Sequence, residues 1–257
     1  MMRVISLGWG CQSFALAAMS APGELPPVDA VIHADTTWER TETYDFARRW
    51  TPWLEERGVR VVTVQDAMAA GRIVDDSGQT HAPLYTLGTD GLGDGQLKRS
   101  CTDRWKIAPI RRWLQANRNG RQVEQWIGIT LDEVERARPS DVKYIRNVYP
   151  FLEMERPMRR GDVIRWLQEH DLEVPVKSGC LMCPYHDRAM WREIKNAGNG
   201  DWQKALEIDN IIRHKRPAYV CYLVAERKPL VDCDFTSQED HGQLQMWSEE
   251  CSGYCFA

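Results

Sequence analysis

Arg3-Val4-Ile5-Ser6-Leu7-Gly8-Trp9-Gly10-Cys11-Gln12-Ser13-Phe14-Ala15-Leu16-Ala17-Ala18-Met19 begins as a short apolar run, breaks at two glycines and resumes as an alanine-rich apolar segment. That order reads as strand, turn and helix. The glycines allow the backbone to approach a ligand closely, and a helix N-terminus directs free N–H groups and the positive end of its dipole at an anion. The loop is not the dinucleotide fingerprint, which needs a third glycine, nor the Walker loop, which needs Gly-Lys-Ser/Thr. The bland alternative is a tight turn with no ligand.

Outward from this stretch the same alternation continues. Val28 to Ala34 is a second apolar run ending at Asp35-Thr36-Thr37. Glu42 to Gly58 places Phe46, Trp50, Trp53 and Leu54 on one helical stripe that stops at a glycine, with a kink expected at Pro52. Val59 to Val64 is β-branched and reads as the next strand. Strand, helix, strand, helix with short links predicts an α/β fold, a doubly wound and mostly parallel sheet whose ligand site lies beyond the carboxyl ends of its strands. Residues 73–100, rich in Gly, Asp, Ser and Thr without a period, read as a long functional loop. Ile107, Ile110, Trp113 and Leu114 mark a helix, and Val123 to Gly128 a further strand. Beyond Pro150 helices are expected around 162–170, 187–196 and 202–214, followed by an irregular cysteine-bearing end. The expected division is an α/β domain over residues 1–150 and a helical region over 151–257.

The 257 residues, 43% of them hydrophobic, suffice for a sizeable core, which argues against a disordered or fibrous chain. Thirty-three Lys and Arg against 37 Asp and Glu give a net charge of −4, so charge alone announces no nucleic-acid or membrane partner. No apolar run reaches the ~18 residues of a spanning helix. A signal peptide at the start is argued against by Gly8, Gly10, Gln12 and Ser13, so a cytoplasmic location is expected. In a reducing compartment the eight cysteines point to metal or thiol chemistry rather than disulfides.

Asp35-Thr36-Thr37 at a strand end suits ribose hydroxyls or magnesium, whereas the plain alternative is a helix N-cap supplied by Thr41 or Thr43. Cys180 and Cys183, in Gly179-Cys180-Leu181-Met182-Cys183-Pro184, have the spacing that lets two thiolates reach one metal, with structural zinc or a redox pair as alternatives. Cys101 lies among Arg99, Arg104 and Lys106, cations that favour thiolate. Cys251 and Cys255 add two sulfurs near the C-terminus, while Cys221 and Cys233 read as core. His186 reads as a surface or core histidine. The basic clusters Lys98-Arg99, Arg111 to Arg121 and Arg213 to Arg216 read first as solvated faces and second as a nucleic-acid surface.

The order of these motifs resembles the phosphoadenosine phosphosulfate (PAPS) reductase-like branch of the PP-loop, or adenine nucleotide alpha-hydrolase, superfamily, and most closely its uncharacterised members in phages and prophages. The likeness covers Ser6 to Ser13, Asp35-Thr36-Thr37 with Glu42-Thr43, Cys101 to Pro109, Gly128 to Glu133 with Arg136, Tyr149-Pro150, Cys180 to Pro184 and the Glu250-Cys251 tail. It implies that residues 1–150 bind an adenine nucleotide through Ser6, Gly8, Trp9, Gly10, Gln12, Ser13, Asp35, Thr36 and Gly128. It also implies substrate contacts from Arg104, Lys106 and Arg136, and catalytic places for Asp132 and Cys255. Residues 151–257 would then carry metal-binding cysteines. The cofactors implied are ATP, Mg2+ and a [4Fe-4S] cluster on Cys101, Cys180 and Cys183, with the fourth iron either open, as in tRNA thiolases, or closed by Cys251 or Cys255.

The activity expected on that footing is ATP-dependent, adenylating sulfur transfer to a nucleobase. The alternatives are a sulfonucleotide reductase releasing sulfite and a non-catalytic nucleotide- or nucleic-acid-binding module with structural zinc. Expected partners are the nucleotide, a tRNA or DNA acceptor and a sulfur donor or thioredoxin-like reductant, with no membrane; a homodimer is compatible. A phage-encoded protein would act in the host cytoplasm. Two departures matter: Gln12 stands where the family's loop is acidic, and Ser100-Cys101 stands where assimilatory adenylylsulfate reductases pair two cysteines; the histidine that closes the reductases' Glu-Cys-Gly tail is absent as well.

Overall fold

The computed structural model describes residues 1–21, 23–66, 72–74, 80–89, 93–214 and 218–236. Its strands are β1 (Met2–Leu7), β2 (Ala30–Ala34), β3 (Val61–Val64), β4 (Tyr85–Gly88), β5 (Asp94–Gln96), β6 (Val123–Trp126), β7 (Ile145–Val148) and β8 (Tyr219–Tyr222). Its α-helices are α1 (Cys11–Ser20), α2 (Thr41–Glu56), α3 (Ala108–Asn117), α4 (Pro150–Glu153), α5 (Arg160–Glu169), α6 (Arg188–Asn196) and α7 (Asp201–Arg213). The chain forms two compact units: unit 1 comprises Met1–Asp66 and Trp105–Ser178, unit 2 Ala67–Arg104 and Gly179–Ala257. The units interleave along the chain rather than divide at residue 150, and the helices beyond Pro150 are shared, α5 in unit 1, α6 and α7 in unit 2.

Unit 1 holds a five-stranded parallel sheet of order β3-β2-β1-β6-β7. From β1 the chain winds outward through β2 to β3, then returns to the other side of β1 with β6 and β7. The strand order therefore reverses between β1 and β6, where open α/β sheets take their ligands. Every residue of β2 is buried, as a central strand covered on both faces requires. Alternation along β1 sends Ile5 and Leu7 into a core with Phe14 and Leu16 of α1, Phe46 and Leu54 of α2, and Val163 and Leu167 of α5. Met2 and Val4 face the opposite core, where α3 contributes Ile110 and Leu114. Helices on both faces make the sheet doubly wound, as the sequence predicts.

α2 runs through Pro52 to Glu56, close to the expected end at Gly58. A mid-helix proline costs about 3 kcal/mol, and burial of Phe46 and Leu54 on either side is of the magnitude that offsets it. β7 was not foreseen, because Arg146 and Asn147 separate its two buried residues, Ile145 and Val148.

Unit 2 carries an antiparallel sheet of order β5-β4-β8, in which Tyr85 pairs with Gln96 on one side and Tyr222 on the other. Residues 73–100 are thus not a continuous loop: they supply two of its strands. Met190, Trp191 and Ile194 of α6 and Ala205, Ile208 and Ile212 of α7 are buried. Cys221 and Cys233 are buried too, as core cysteines. Among the described residues no helix is long and apolar enough to cross a membrane.

Candidate functional site

The segment from Gly8 to Ser13 leaves β1 and enters α1 at the switch point of unit 1. Trp9 adopts a left-handed backbone with φ 56°. Such a conformation is strained for a residue with a Cβ and persists only when its surroundings hold it. Here the indole is 2% exposed, with Phe14, His33 and Phe46 around it at ring separations of 6.4, 6.3 and 6.1 Å. Of Trp9, which the resemblance places in the nucleotide loop, the backbone forms the turn and the indole is core. Ser13 Oγ accepts from the Gly8 N–H at 3.1 Å and donates to the Gly10 carbonyl at 3.2 Å, so it builds the turn.

α1 has Gly10 as its N-cap, no side-chain cap and no acidic residue in its first turn. Its leading N–H groups and dipole are thus available to an anion. Gly128, at the exit of β6, has its own reason to be glycine. A Cβ there would lie 2.9 Å from the Gln12 carbonyl carbon and 3.0 Å from the Ser13 nitrogen. It permits the close approach of the two loops that frame the switch point.

Around this cradle most of the predicted side chains are already engaged. Ser6 Oγ accepts from Gln125 Nε2 at 2.7 Å, joining β1 to β6. Gln12 Nε2 lies 3.4 Å from Glu133 Oε2, and the same oxygen pairs with Arg136 at 2.7 Å. Arg136, expected on a substrate anion, is paired with Glu133, a carboxylate of the same motif to which no role was assigned. Asp132, expected to be catalytic, accepts from the Arg160 N–H at 2.5 Å and from Arg159 at 3.1 Å, anchoring the start of α5.

At the end of β2, Asp35 accepts from the Thr37 N–H, Tyr44 Oη and Gln65 Nε2 at 2.7, 2.8 and 2.6 Å. Burial alone would raise its pKa, but these three donors outweigh it and hold the carboxyl below its ordinary value. The Tyr44 phenol is pushed up, first by burial and then by the carboxylate it donates to. Thr36 Oγ1 donates to Glu39 Oε1 at 3.2 Å, and Lys106 pairs with the same oxygen at 3.5 Å. The N-cap of α2 is Arg40, without a side-chain cap, so neither Thr41 nor Thr43 plays that part. His33, 6% exposed, faces the Leu7 carbonyl through Nδ1 at 3.0 Å. A carbonyl only accepts, so Nδ1 carries the proton, and burial pushes the imidazole pKa down.

The cysteines separate by unit. Cys11, inside the loop, is buried and its thiol is pushed up chiefly by desolvation, so it is small and inert rather than nucleophilic. Cys101, Cys180 and Cys183 belong to unit 2 and are half-buried. The Cys183 N–H donates to the Cys180 carbonyl at 2.9 Å, and His186 Nε2 donates to the same carbonyl at 2.8 Å. His186 is thus a buried brace for the turn. The Cys101 N–H donates to the His81 carbonyl at 2.9 Å. Among the described residues no three His, Cys, Asp or Glu side chains gather closely enough to hold a metal. These side chains alone therefore do not assemble the expected cluster ligands, and Cys251 and Cys255 lie outside the described residues.

The basic clusters are largely neutralised. Arg111 pairs with Asp141, Arg112 with Asp66, Arg121 with Asp29 and Arg213 with Asp209, while Arg118 stacks on Tyr144. Lys215 and Arg216 lie outside the described residues. Arg104 is an exposed residue of unit 2, whereas Lys106 and Arg136 belong to unit 1.

Fold and loop together define unit 1 as an open, doubly wound α/β unit with an uncapped helix N-terminus at its switch point. No protein-family model matches the chain. A stretch of 87 residues is 28% identical to an uncharacterized nin region protein, ORF290, of Escherichia phage lambda, covering 32% of this chain and 28% of that protein's length. Among solved structures, the phosphate complex of PAPS reductase from Candida auris aligns with a TM-score of 0.44 and 12% identity over 68% of this chain and 75% of that one. The U34-tRNA thiolase NcsA from Methanococcus maripaludis, with its [4Fe-4S] cluster, aligns with a TM-score of 0.40 and 14% identity over 83% and 72%. At those values nothing about ligand or reaction carries over to this chain.

Proposed function

We propose that unit 1 binds an adenine nucleotide, with phosphate at the Gly8 to Ser13 turn and the nucleoside toward Asp35 and Thr36, and that the protein uses ATP to drive sulfur transfer to a nucleobase. The observation that carries the first part is the start of α1: a glycine N-cap, no capping side chain and no acidic residue, at the point where the strand order reverses. The second part rests on the ordered motifs the sequence shares with the PAPS reductase-like branch.

In this reading the acceptor's carbonyl oxygen attacks the α-phosphorus and pyrophosphate leaves. A sulfur nucleophile then adds to the activated carbon, and the oxygen departs as AMP, a far better leaving group than hydroxide. The first-turn N–H groups of α1 and the helix dipole stabilise the charge that develops on phosphate. Asp35, kept ionised by its three donors, suits ribose hydroxyls. Magnesium would be held chiefly by substrate phosphates and water, because the loop offers Gln12 and both Asp35 oxygens already accept hydrogen bonds.

Calorimetric titration of the full chain, purified without oxygen, with ATP and AMP tests the binding step. Saturable binding of either, followed by pyrophosphate release that requires tRNA or DNA and a sulfur donor, is the expected result. Absence of any nucleotide affinity overturns the proposal. Nucleotide binding joined to sulfite release from PAPS would replace sulfur transfer with reduction.

A further inference from the structure

We infer that Ser178 is a phosphate-binding residue of unit 1, its hydroxyl completing the anion cradle at the start of α1. The inference rests on the nucleotide reading above and names a contact that reading does not contain. Ser178 is 7% exposed and is the last residue of unit 1. Its Oγ lies 3.0 Å from where a Cβ on Gly10 would stand, while its own Cβ is 4.0 Å away, so the hydroxyl is the part turned toward the N-cap of α1.

Among the described residues that hydroxyl makes no hydrogen bond. It is not wholly shut off from solvent, so it stands in the wall of the cradle with its bonding capacity unused by the described residues and within reach of a ligand. The uncapped helix beside it has the complementary deficit, donors lacking an acceptor. One species satisfies both: a tetrahedral oxyanion, which accepts from the first-turn N–H groups and from the serine hydroxyl together. Gly10 fits this account, since a methyl group at that position would press on the hydroxyl and displace it.

The chemistry is that of a phosphate or sulfate group, and the probes separate the phosphate from the nucleoside. ATP, pyrophosphate and adenosine are titrated into the full-length wild type, Ser178→Ala and Ser178→Cys, with the unfolding midpoint confirming that each variant is folded. Ser178→Ala removes one oxygen and adds nothing, so its fold is not at risk. A hydrogen bond to a charged group corresponds to roughly tenfold or more in affinity. Ser178→Ala is therefore expected to bind ATP and pyrophosphate at least about tenfold more weakly while keeping its affinity for adenosine. Ser178→Cys, with a similar size and a weaker donor, falls between.

Equal affinity of Ser178→Ala and wild type for ATP and pyrophosphate overturns the inference and leaves the nucleotide site standing. A parallel loss for adenosine overturns it as well, by making the hydroxyl a packing element. Wild-type protein that binds none of the three probes overturns the nucleotide reading and this inference with it.

Discussion

Two turns invite comparison: Gly8 to Ser13 in unit 1 and Cys180 to Cys183 in unit 2. Both are closed by short-range hydrogen bonds, yet they are supported differently. The first has a strained residue, Trp9, whose indole lies in the main aromatic core among Phe14, His33 and Phe46. The second has aliphatic side chains, Leu181 and Met182, buried between its cysteines, and His186 donates to the Cys180 carbonyl and stands edge-on to Trp191 at 4.9 Å. A turn fastened by core packing holds its geometry whether or not a ligand is present. In the second, Leu181 and Met182 are held in the interior while Cys180 and Cys183 are only half-buried, so the sulfurs stay open to a reagent.

The largest expected effect is therefore in unit 1. Trp9→Ala removes a fully buried indole and should destabilise the fold by about 3–5 kcal/mol, read from urea denaturation with nucleotide titration alongside. A loss below about 1 kcal/mol would mean that the core does not hold the turn.

In unit 2, His186→Ala leaves the Cys180 carbonyl without its imidazole donor and should cost about 1–3 kcal/mol. The sharper readout is thiol labelling. In the native protein Cys101, Cys180 and Cys183, half-buried, should alkylate before the buried Cys11, Cys221 and Cys233. In His186→Ala, Cys180 and Cys183 should label faster still and Cys101 at its former rate. Unchanged labelling of Cys180 and Cys183 would remove the brace from the comparison.

The smallest effect concerns acid. The folded pKa of His33 is depressed below 6.5, so the unfolded chain binds the proton first and stability falls as pH drops below about 6.5, levelling off below the folded value. Asp35, also depressed, contributes stability above its unfolded value of 3.8 that is lost as pH falls through the folded pKa. Stability against pH should thus decline in two stages, and His33→Gln should remove the upper one alone. A wild-type curve flat between pH 6.5 and 4.5, measured by denaturant midpoints, would contradict the assignment of His33 as a buried neutral imidazole.

How much of this was legible in the sequence follows from the range of each interaction. The strand, turn and helix of residues 3 to 19 were readable because hydrophobic spacing is local, and so were β2, β3, β6 and the helices α2, α3, α5, α6 and α7. β4 and β5 hid in a glycine- and aspartate-rich stretch because Tyr85-Thr86-Leu87-Gly88 and Asp94-Gly95-Gln96 lack the β-branched apolar run that marks Val61-Val62-Thr63-Val64 of β3. The resemblance places Trp9 in the nucleotide loop without saying where its indole goes; only the fold reveals that Phe46, 37 positions on, packs against its ring. The Cys180 to Cys183 spacing specifies that two sulfurs share a turn and is silent on what else approaches them. Ser178 left no local signal, since a lone serine becomes informative only when Gly10 is found beside it.

The order of strands also has a consequence for the nascent chain. β1 leaves the ribosome early and can pair with β2 within some 25 residues, but its other neighbour, β6, begins at Val123. At bacterial-to-eukaryotic synthesis rates of about 5–20 residues per second, that edge of β1 waits roughly 6–24 s for its partner. Throughout that interval α1, with Phe14 to Met19 all destined for burial, has only part of the surface it will pack on. Chaperone dependence during synthesis should accordingly be concentrated between the emergence of β3 and that of β6, the period in which the Ala67–Arg104 segment of unit 2 is being made.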